Sequence, residues 1–284
     1  MTQNWRQRIA GVSMAVVAAA AAVSEAPAAD LLDTLRAGEP VRIGFANEVP
    51  WAYPGEGAEA LGFVNAIAVA VLKKLGAKTI EPVVTEWGGL IPGLKANRFD
   101  VITGGMYILQ KRCENVLFSD PIGVFGDAFI VPAGNPEDIQ TYADLRRLEA
   151  TLVTGSGYNI VEVAKAQGIP ADKIMQVPGP TEILAAVKAG RAAAGGVTYF
   201  TALNLAKSSE GTVTVTDPSK LPEWTQNWVG IAFRPSDTAM QQAFNAVLGD
   251  YLGSDEMLAS VAAYGYTEAQ LPGDATTEHA CANR

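Results

Sequence analysis

The side chains best suited to hold a small charged solute fall in three short segments of the first half of the chain. Trp51, Trp87 and Tyr107 each follow a short apolar run that is typical of a β-strand. Aromatic faces attract a delocalised cation, and each well-placed ring contributes about 0.5–2 kcal/mol. Glu48, three residues before Trp51, supplies a carboxylate that can accept hydrogen bonds from such a cation. These segments predict a cage for a planar cation, and the alternative for each ring is an ordinary core position.

Arg112, five residues after Tyr107, is the candidate contact for an anion. Its planar guanidinium can bind a carboxylate through two parallel hydrogen bonds. The alternative is an exposed helical arginine, but the neighbouring Lys111 suits that surface role. The arginine and the cage together predict a zwitterionic solute.

The second half of the chain offers weaker candidates. Ser156, Gly157 and Tyr158 follow a predicted strand and open a predicted helix, where free N–H groups can bind a carboxylate or hydroxyl. Thr198 ends a later strand, and each of these residues has a capping role as its alternative. Gly105, two residues before Tyr107, is assigned to the same binding site.

Most enzyme and metal chemistries lack their residues. His279 is the one histidine, so a Ser-His-Asp or Cys-His arrangement is excluded. Cys113 and Cys281 are the two cysteines, too few for a metal site. We predict that they form a disulfide, which would contribute roughly 5 kcal/mol by closing a long loop; the alternative is two free thiols. We expect neither a metal nor a cofactor.

Charge and the N-terminus bear on partners and compartment. The net charge of -9 argues against nucleic acid and against anionic membrane surfaces. Arg6 and Arg8 precede an apolar run of about 15 residues, and small residues follow at 26–29, which predicts a cleavable signal peptide over residues 1–28 and a periplasmic protein. A membrane anchor is the alternative, although the run is short for a span.

The elements that must position these residues alternate between strands and helices. A first block runs β-α-β-α-β from Val41 to Thr103, and a second runs from about Thr151 to Thr198. This order is typical of open, largely parallel sheets, which bind ligands beyond the carboxyl ends of their strands. We therefore predict an α/β protein of two Rossmann-like lobes, followed by a helical region over 241–262.

Four segments of the chain are distinctive, namely Phe45–Trp51, Leu90–Asp100, Gly104–Glu114 and Phe118–Pro121. Together they resemble one known family, the polar-amino-acid type of periplasmic solute-binding proteins of ABC transporters. The resemblance covers essentially the whole chain after the signal peptide. It implies a type II fold with hinge strands at 131–135 and 229–234, one lobe from 29–132 plus 232–284 and another from 133–231. It also implies that Arg112 grips the ligand carboxylate, that Trp51 and Trp87 sandwich the ligand, and that a membrane permease is the partner of what we expect to be a monomer.

Within this family, Gly-Met-Tyr followed by Lys-Arg-Cys is similar to the ectoine- and hydroxyectoine-binding members. Amino-acid binders usually have Ser or Thr where Tyr107 stands, and an Asp where Thr198 stands. A buried ammonium without its carboxylate costs several kcal/mol, so we expect tight binding of ectoine or hydroxyectoine and weak binding of α-amino acids. The alternatives are a polar amino acid, another compatible solute, an enzyme on the same fold with Glu48 as its acid or base, and a sensing module.

Overall fold

The computed structural model describes Met1 and residues 30–283, and the predicted signal peptide lies outside the described residues. The strands are β1 Val41–Phe45, β2 Tyr53–Pro54, β3 Ala60–Leu61, β4 Ile80–Val84, β5 Val101–Tyr107, β6 Leu117–Phe118, β7 Gly123–Phe125, β8 Asp127–Pro132, β9 Leu152–Gly155, β10 Ile174–Val177, β11 Ala194–Thr198, β12 Val213–Val215 and β13 Asn227–Phe233. The α-helices are α1 Leu31–Arg36, α2 Phe63–Lys74, α3 Leu90–Lys95, α4 Gln110–Cys113, α5 Tyr142–Arg147, α6 Asn159–Ala166, α7 Pro180–Lys188, α8 Tyr199–Ser208, α9 Thr238–Tyr251, α10 Asp255–Val261 and α11 Thr277–Asn283.

Two sheets divide the molecule into two lobes. The first sheet has the order β4-β1-β5-β13-β6, with β7 also paired to β13; with α1–α4 and α9–α11 it forms lobe 1. The second has the order β10-β9-β11-β8-β12 and forms lobe 2 with α5–α8. The central strands of each sheet are parallel, and β13 and β8 run antiparallel to their neighbours. The predicted α/β class with two lobes is confirmed.

Apolar periodicity explains why the elements of lobe 1 form. Every residue of β5 is buried, as expected for a central strand covered on both faces. In α2, Phe63, Ile67 and Val71 recur every four residues, and all three are fully buried. The parallel arrangement brings the carboxyl ends of β1, β4 and β5 to one edge, which faces lobe 2.

The chain changes lobes at points that differ from the predicted hinges. β7 belongs to the first sheet and β8 to the second, so the first crossover is at Gly126. The return crossover is the segment 216–226, between β12 and β13. The ranges predicted as hinges, 131–135 and 229–234, overlap the sheet strands β8 and β13, because their apolar residues are paired within one sheet each. Residues 127–132 therefore belong to lobe 2, and 227–231 to lobe 1.

Smaller differences concern element ends. The helical region predicted at 241–262 is two helices, α9 and α10. Tyr107 is the last residue of β5, which is longer than predicted.

The predicted disulfide between Cys113 and Cys281 is confirmed. It joins α11 near the C-terminus to α4 in lobe 1, the short helix that carries Arg112. None of the helices in the described part of the chain combines the length and apolarity needed to cross a membrane.

Candidate functional site

A small cavity lies where the strand ends of lobe 1 face lobe 2. Its walls are formed by Glu48, Trp51, Trp87, Gly105, Tyr107, Arg112, Tyr158, Asn159, Ile160 and Thr198. Eight of the ten residues predicted for the binding site are therefore brought together. Ser156 and Gly157 do not line the cavity, and Asn159 and Ile160 were not predicted.

Trp51 forms one wall through contacts with both lobes. Its ring packs against Phe63 and Phe125 with centroid distances of 4.8 and 4.5 Å, and its Nε1–H donates to Thr198 Oγ1 in lobe 2 at 3.0 Å. Gly105 permits this packing, because a Cβ there would lie 2.5 Å from the indole ring. The positive φ of Gly105 (81°) also disfavours any other residue.

Trp87 forms the opposite wall and also bridges the lobes. It opens a short 3-10 helix after β4, and its Nε1–H donates to the carbonyl oxygen of Gly157 at 3.2 Å. The ring of Tyr158 meets it edge-on at 5.4 Å. Gly157 has φ of 82°, and a Cβ there would lie 3.3 Å from the Cα of Gly88. Gly157 therefore contributes a carbonyl and a close approach of the lobes rather than a cavity wall, while the side chain of Ser156 is exposed.

Arg112 supplies the positive charge of the site. Its guanidinium donates to the carbonyl oxygens of Tyr107 at 3.0 Å and Gly157 at 3.1 Å, and lies 5.9 Å from the centre of the Trp87 ring. No carboxylate in the described part of the chain forms an ion pair with it. Part of its surface remains accessible, but protein surrounds the guanidinium, and this burial lowers the pKa of Arg112 to about 10. The charge is available for an anionic ligand group.

Glu48 supplies a carboxyl group to the same cavity. It is 6% exposed, and its Oε1 has no hydrogen-bond partner among the described residues. Burial raises the pKa of Glu48 to about 8. The hydroxyl of Tyr158, also buried in the cavity wall, is likewise without a partner among the described residues. Two buried polar groups thus remain free to bind a solute.

A second buried acid, which sequence reasoning did not assign to the site, lies behind the wall. Asp127 accepts hydrogen bonds from the Tyr107 hydroxyl at 3.2 Å and from Asn159 Nδ2 at 3.0 Å. Burial raises its pKa to about 7, against the opposing effects of these two hydrogen bonds and of the Arg112 charge. The signal that could have found it is its position directly after Gly126, where the sequence leaves β7.

The lobes are closed on each other. Four hydrogen bonds between them have been described, from Trp51, Trp87, Tyr107 and Arg112 of lobe 1 to acceptors of lobe 2. The enclosed volume is about 20 Å³, enough for a water molecule but not for an organic solute. A solute must therefore enter through separation of the lobes.

Charge differs between the two open ends of the cleft. The groove beside Glu48 is also lined by Glu86 and Glu182. The groove at the other end contains Arg112 and Lys111, with Glu162 as its acid. A zwitterion would be oriented by this polarity, with its cationic end towards Glu48 and its carboxylate towards Arg112.

Known proteins with similar sequences and structures are solute-binding proteins. The chain matches the family of bacterial extracellular solute-binding proteins, family 3, over residues 41–265. A probable amino-acid ABC transporter periplasmic-binding protein of Sinorhizobium fredii is 32% identical over 259 residues, which cover 89% of this chain and 86% of that protein.

Solved structures show the same similarity. The crystal structure of EhuB in complex with hydroxyectoine has a TM-score of 0.81 and 28% identity, and covers 89% of this chain and 98% of that one. An ancestral amino acid-binding protein, described as a precursor of cyclohexadienyl dehydratase, has a TM-score of 0.72 and 26% identity, with 83% and 99% covered. The predicted type II fold is thereby confirmed.

Proposed function

The chain belongs to the bacterial extracellular solute-binding proteins, family 3, and on that premise we propose that it binds ectoine or hydroxyectoine in the periplasm and delivers it to the permease of an ABC transporter. The role of a solute-binding protein for amino acids or similar solutes follows from the family. The choice of ectoine or hydroxyectoine as the ligand rests on the residues of the cleft.

The observation that carries the proposal is the arrangement of opposite charges inside an aromatic cage. Arg112 has no acidic partner among the described residues, and Glu48 Oε1 has no hydrogen-bond partner among them. Trp51, Trp87 and Tyr107 line the same cavity as these two groups. A cyclic amidinium carboxylate satisfies all of these features, because its delocalised cation fits aromatic faces and its carboxylate fits a guanidinium.

The similarity to EhuB supports the same ligand class, since that structure contains hydroxyectoine. The predicted signal peptide and the periplasmic relatives support export. We propose that the protein acts as a monomer and that a closed form which holds the solute, with a wider cavity than the one described here, is the one the permease receives.

Calorimetry with purified mature protein tests the ligand. Ectoine and hydroxyectoine should give saturable heats, while glycine betaine, proline, glutamine, arginine and cystine should give weak heats or none. The Arg112→Ala variant is the negative control, because its loss of heat assigns binding to this cleft. Micromolar binding of an amino acid without heat from either ectoine would overturn the proposed ligand but leave the family role intact.

A polar amino acid is the second candidate, and one observation favours it. Asp127 pairs in register with Thr198 across β8 and β11, so lobe 2 has an acid one strand away from the position where amino-acid binders place theirs. Its oxygens are already bonded to Tyr107 and Asn159. Asp127 itself does not line the cavity, so an α-ammonium would have to move a wall residue to reach it, which makes this ligand the weaker candidate.

A further inference from the structure

One buried carboxylate lies outside the proposed set of ligand contacts. Asp127 is 1% exposed and begins β8, immediately after the chain has crossed into lobe 2 at Gly126. It is not among the residues that line the cavity, but both of its hydrogen-bond donors are. Tyr107 belongs to lobe 1 and Asn159 to lobe 2.

We propose that Asp127 is a positioning residue that holds the closed form together and thereby sets how fast a bound solute is released. The inference rests on the proposed function in one respect, namely that a solute closes the lobes.

The hydrogen bond between the Tyr107 hydroxyl and the Asp127 carboxylate is a strong contact between the lobes. A carboxylate buried in protein must be satisfied by hydrogen bonds, and bonds to a charged acceptor are roughly twice as strong as neutral ones. The bond from the Tyr107 hydroxyl to Asp127 Oδ1 crosses the interface between the lobes. Opening of the cleft must break this hydrogen bond. A solute can enter a cleft that is already open without breaking it.

This hydrogen bond lies beside a second hydrogen bond between the lobes, the one from Trp51 to Thr198. Asp127 and Thr198 face each other on antiparallel strands, where opposite side chains have Cβ atoms about 4.5–5.5 Å apart. Thr198 accepts the hydrogen bond from the Trp51 indole of lobe 1. Two of the bonds between the lobes therefore meet at one ladder position, and each holds an aromatic ring of the cavity wall.

The second oxygen of the Asp127 carboxylate binds a residue of lobe 2. Asn159 Nδ2 donates to Asp127 Oδ2 at 3.0 Å, and Asn159 is the first residue of α6. The acid thus fixes the start of the helix in lobe 2 that faces Arg112 and Trp87 through Gly157 and Tyr158. Loss of the acid should loosen this helix start and the Tyr107 ring together.

Stopped-flow tryptophan fluorescence with hydroxyectoine at pH 8 tests the proposal on the wild-type protein, Asp127→Asn, Tyr107→Phe and the double variant. Asp127→Asn should release the solute about 10- to 100-fold faster, with association changed less than about threefold, because closed-state contacts act on dissociation. The double variant should release it no more than about threefold faster than the faster single variant, because Asp127→Asn weakens the same hydrogen bond that Tyr107→Phe removes.

Tyr142→Phe is the matched control. Tyr142 is buried in lobe 2, its pKa is raised by burial and by the nearby Asp127 charge, and its hydroxyl has no partner among the described residues. Tyr142→Phe removes a hydroxyl near Asp127 that forms no hydrogen bond between the lobes, so the release rate should not change. If Asp127→Asn does not fold, Tyr107→Phe and Asn159→Ala remove the two hydrogen bonds from their donor ends, and each should speed release.

The outcomes separate the two proposals. The role of Asp127 is overturned if Asp127→Asn releases the solute at the wild-type rate, or if the release rate of the double variant shows the product of the two single effects. Either result leaves the proposed ligand unaffected. If an amino acid binds instead of hydroxyectoine, the proposed ligand fails, and the same set of variants measured with that amino acid decides the role of Asp127. A wild-type protein that none of these solutes closes contradicts both.

Discussion

The two lobes contribute different chemistry to the same cleft. Lobe 1 provides the charges and the large rings through Glu48, Arg112 and the aromatic cage. Lobe 2 provides mainly neutral acceptors, the Thr198 hydroxyl and the Gly157 carbonyl, with its acid Asp127 held behind the wall. We infer that the charges and rings of lobe 1 mainly select the solute, while lobe 2, apart from the free hydroxyl of Tyr158, mainly prolongs the closed form.

The largest expected effect comes from the charge of lobe 1. Arg112→Ala should weaken solute binding by roughly 2–4 kcal/mol, because the desolvated carboxylate loses its partner. Calorimetry and a melting curve would separate lost binding from lost folding. Lys111→Ala is the control: Lys111 is exposed and pairs with Glu162 only at 3.8 Å, so its loss should cost less than about 1 kcal/mol. Unchanged affinity in a folded Arg112→Ala variant would contradict the anion-binding role.

The aromatic cage should give the next largest effect. Trp87→Ala should cost on the order of 1–3 kcal/mol of binding, from lost apolar burial and the cation–π contribution. Trp87→Phe keeps a ring face and should cost much less, although it loses the bond to Gly157. Titration calorimetry of both variants checks the order. Equal losses in the two variants would mean that the indole N–H, and not the ring face, is what lobe 1 contributes here.

Local patterns made much of lobe 1 predictable. The period-four apolar residues of α2 and the β-branched run of β1 are properties of short segments, so the alternation of strands and helices from Val41 onwards could be predicted from the sequence. Parallel strands bring their carboxyl ends to one edge, and this explains why Trp51, Trp87 and Tyr107 could be assigned to one site.

The missed features depend on pairing between distant segments. The family resemblance implied a hinge at residues 131–135, and the sequence alone could not correct this, because a short apolar strand looks the same whether it joins two sheets or lies within one. The pairing of β8 with β11 and β12 places the start of β8 in lobe 2. The error assigned Asp127 to lobe 1, so a buried acid of lobe 2 was overlooked, although position 198 carries Thr as stated. Asn159 was missed because its partner is 32 positions away in the sequence.

The pH dependence of solute binding offers a further test of the contrast between the lobes. Burial raises the pKa of Glu48 to about 8, so below that pH the ligand-free closed form keeps the carboxyl protonated. A cation favours the carboxylate, so binding should release a proton, and affinity should rise by up to about tenfold per pH unit between pH 6 and 8 and then level off. The same raised pKa means that the ligand-free closed form loses stability as pH rises from the unfolded value of about 4.5 through 8.

Calorimetry at several pH values, in buffers with different ionisation heats, would measure both effects. Glu48→Gln is the control, because its side chain cannot titrate. The pKa of Asp127 is raised to about 7, so any pH dependence that survives in Glu48→Gln reports on lobe 2. Affinity that falls between pH 6 and 8 would contradict a cation beside Glu48.

The smallest expected effect belongs to a neutral acceptor of lobe 2. Thr198→Val keeps the shape of the side chain but removes the oxygen that accepts from the Trp51 indole at 3.0 Å and from the backbone N–H of Thr201 at 3.3 Å. One neutral hydrogen bond contributes about 0.5–1.5 kcal/mol, so dissociation should be about 2- to 10-fold faster.

Association should not change, because the bond between the lobes forms only on closure, and stopped-flow fluorescence distinguishes the two rates. Thr198→Ser keeps the hydroxyl and should behave like the wild-type protein, which separates the hydrogen bond from the methyl packing. A Thr198→Val variant that slowed association, or that weakened binding as much as Arg112→Ala, would mean that lobe 2 also takes part in selecting the solute. The division of roles between the lobes would then be wrong, because a neutral acceptor that acts before closure must contact the solute itself.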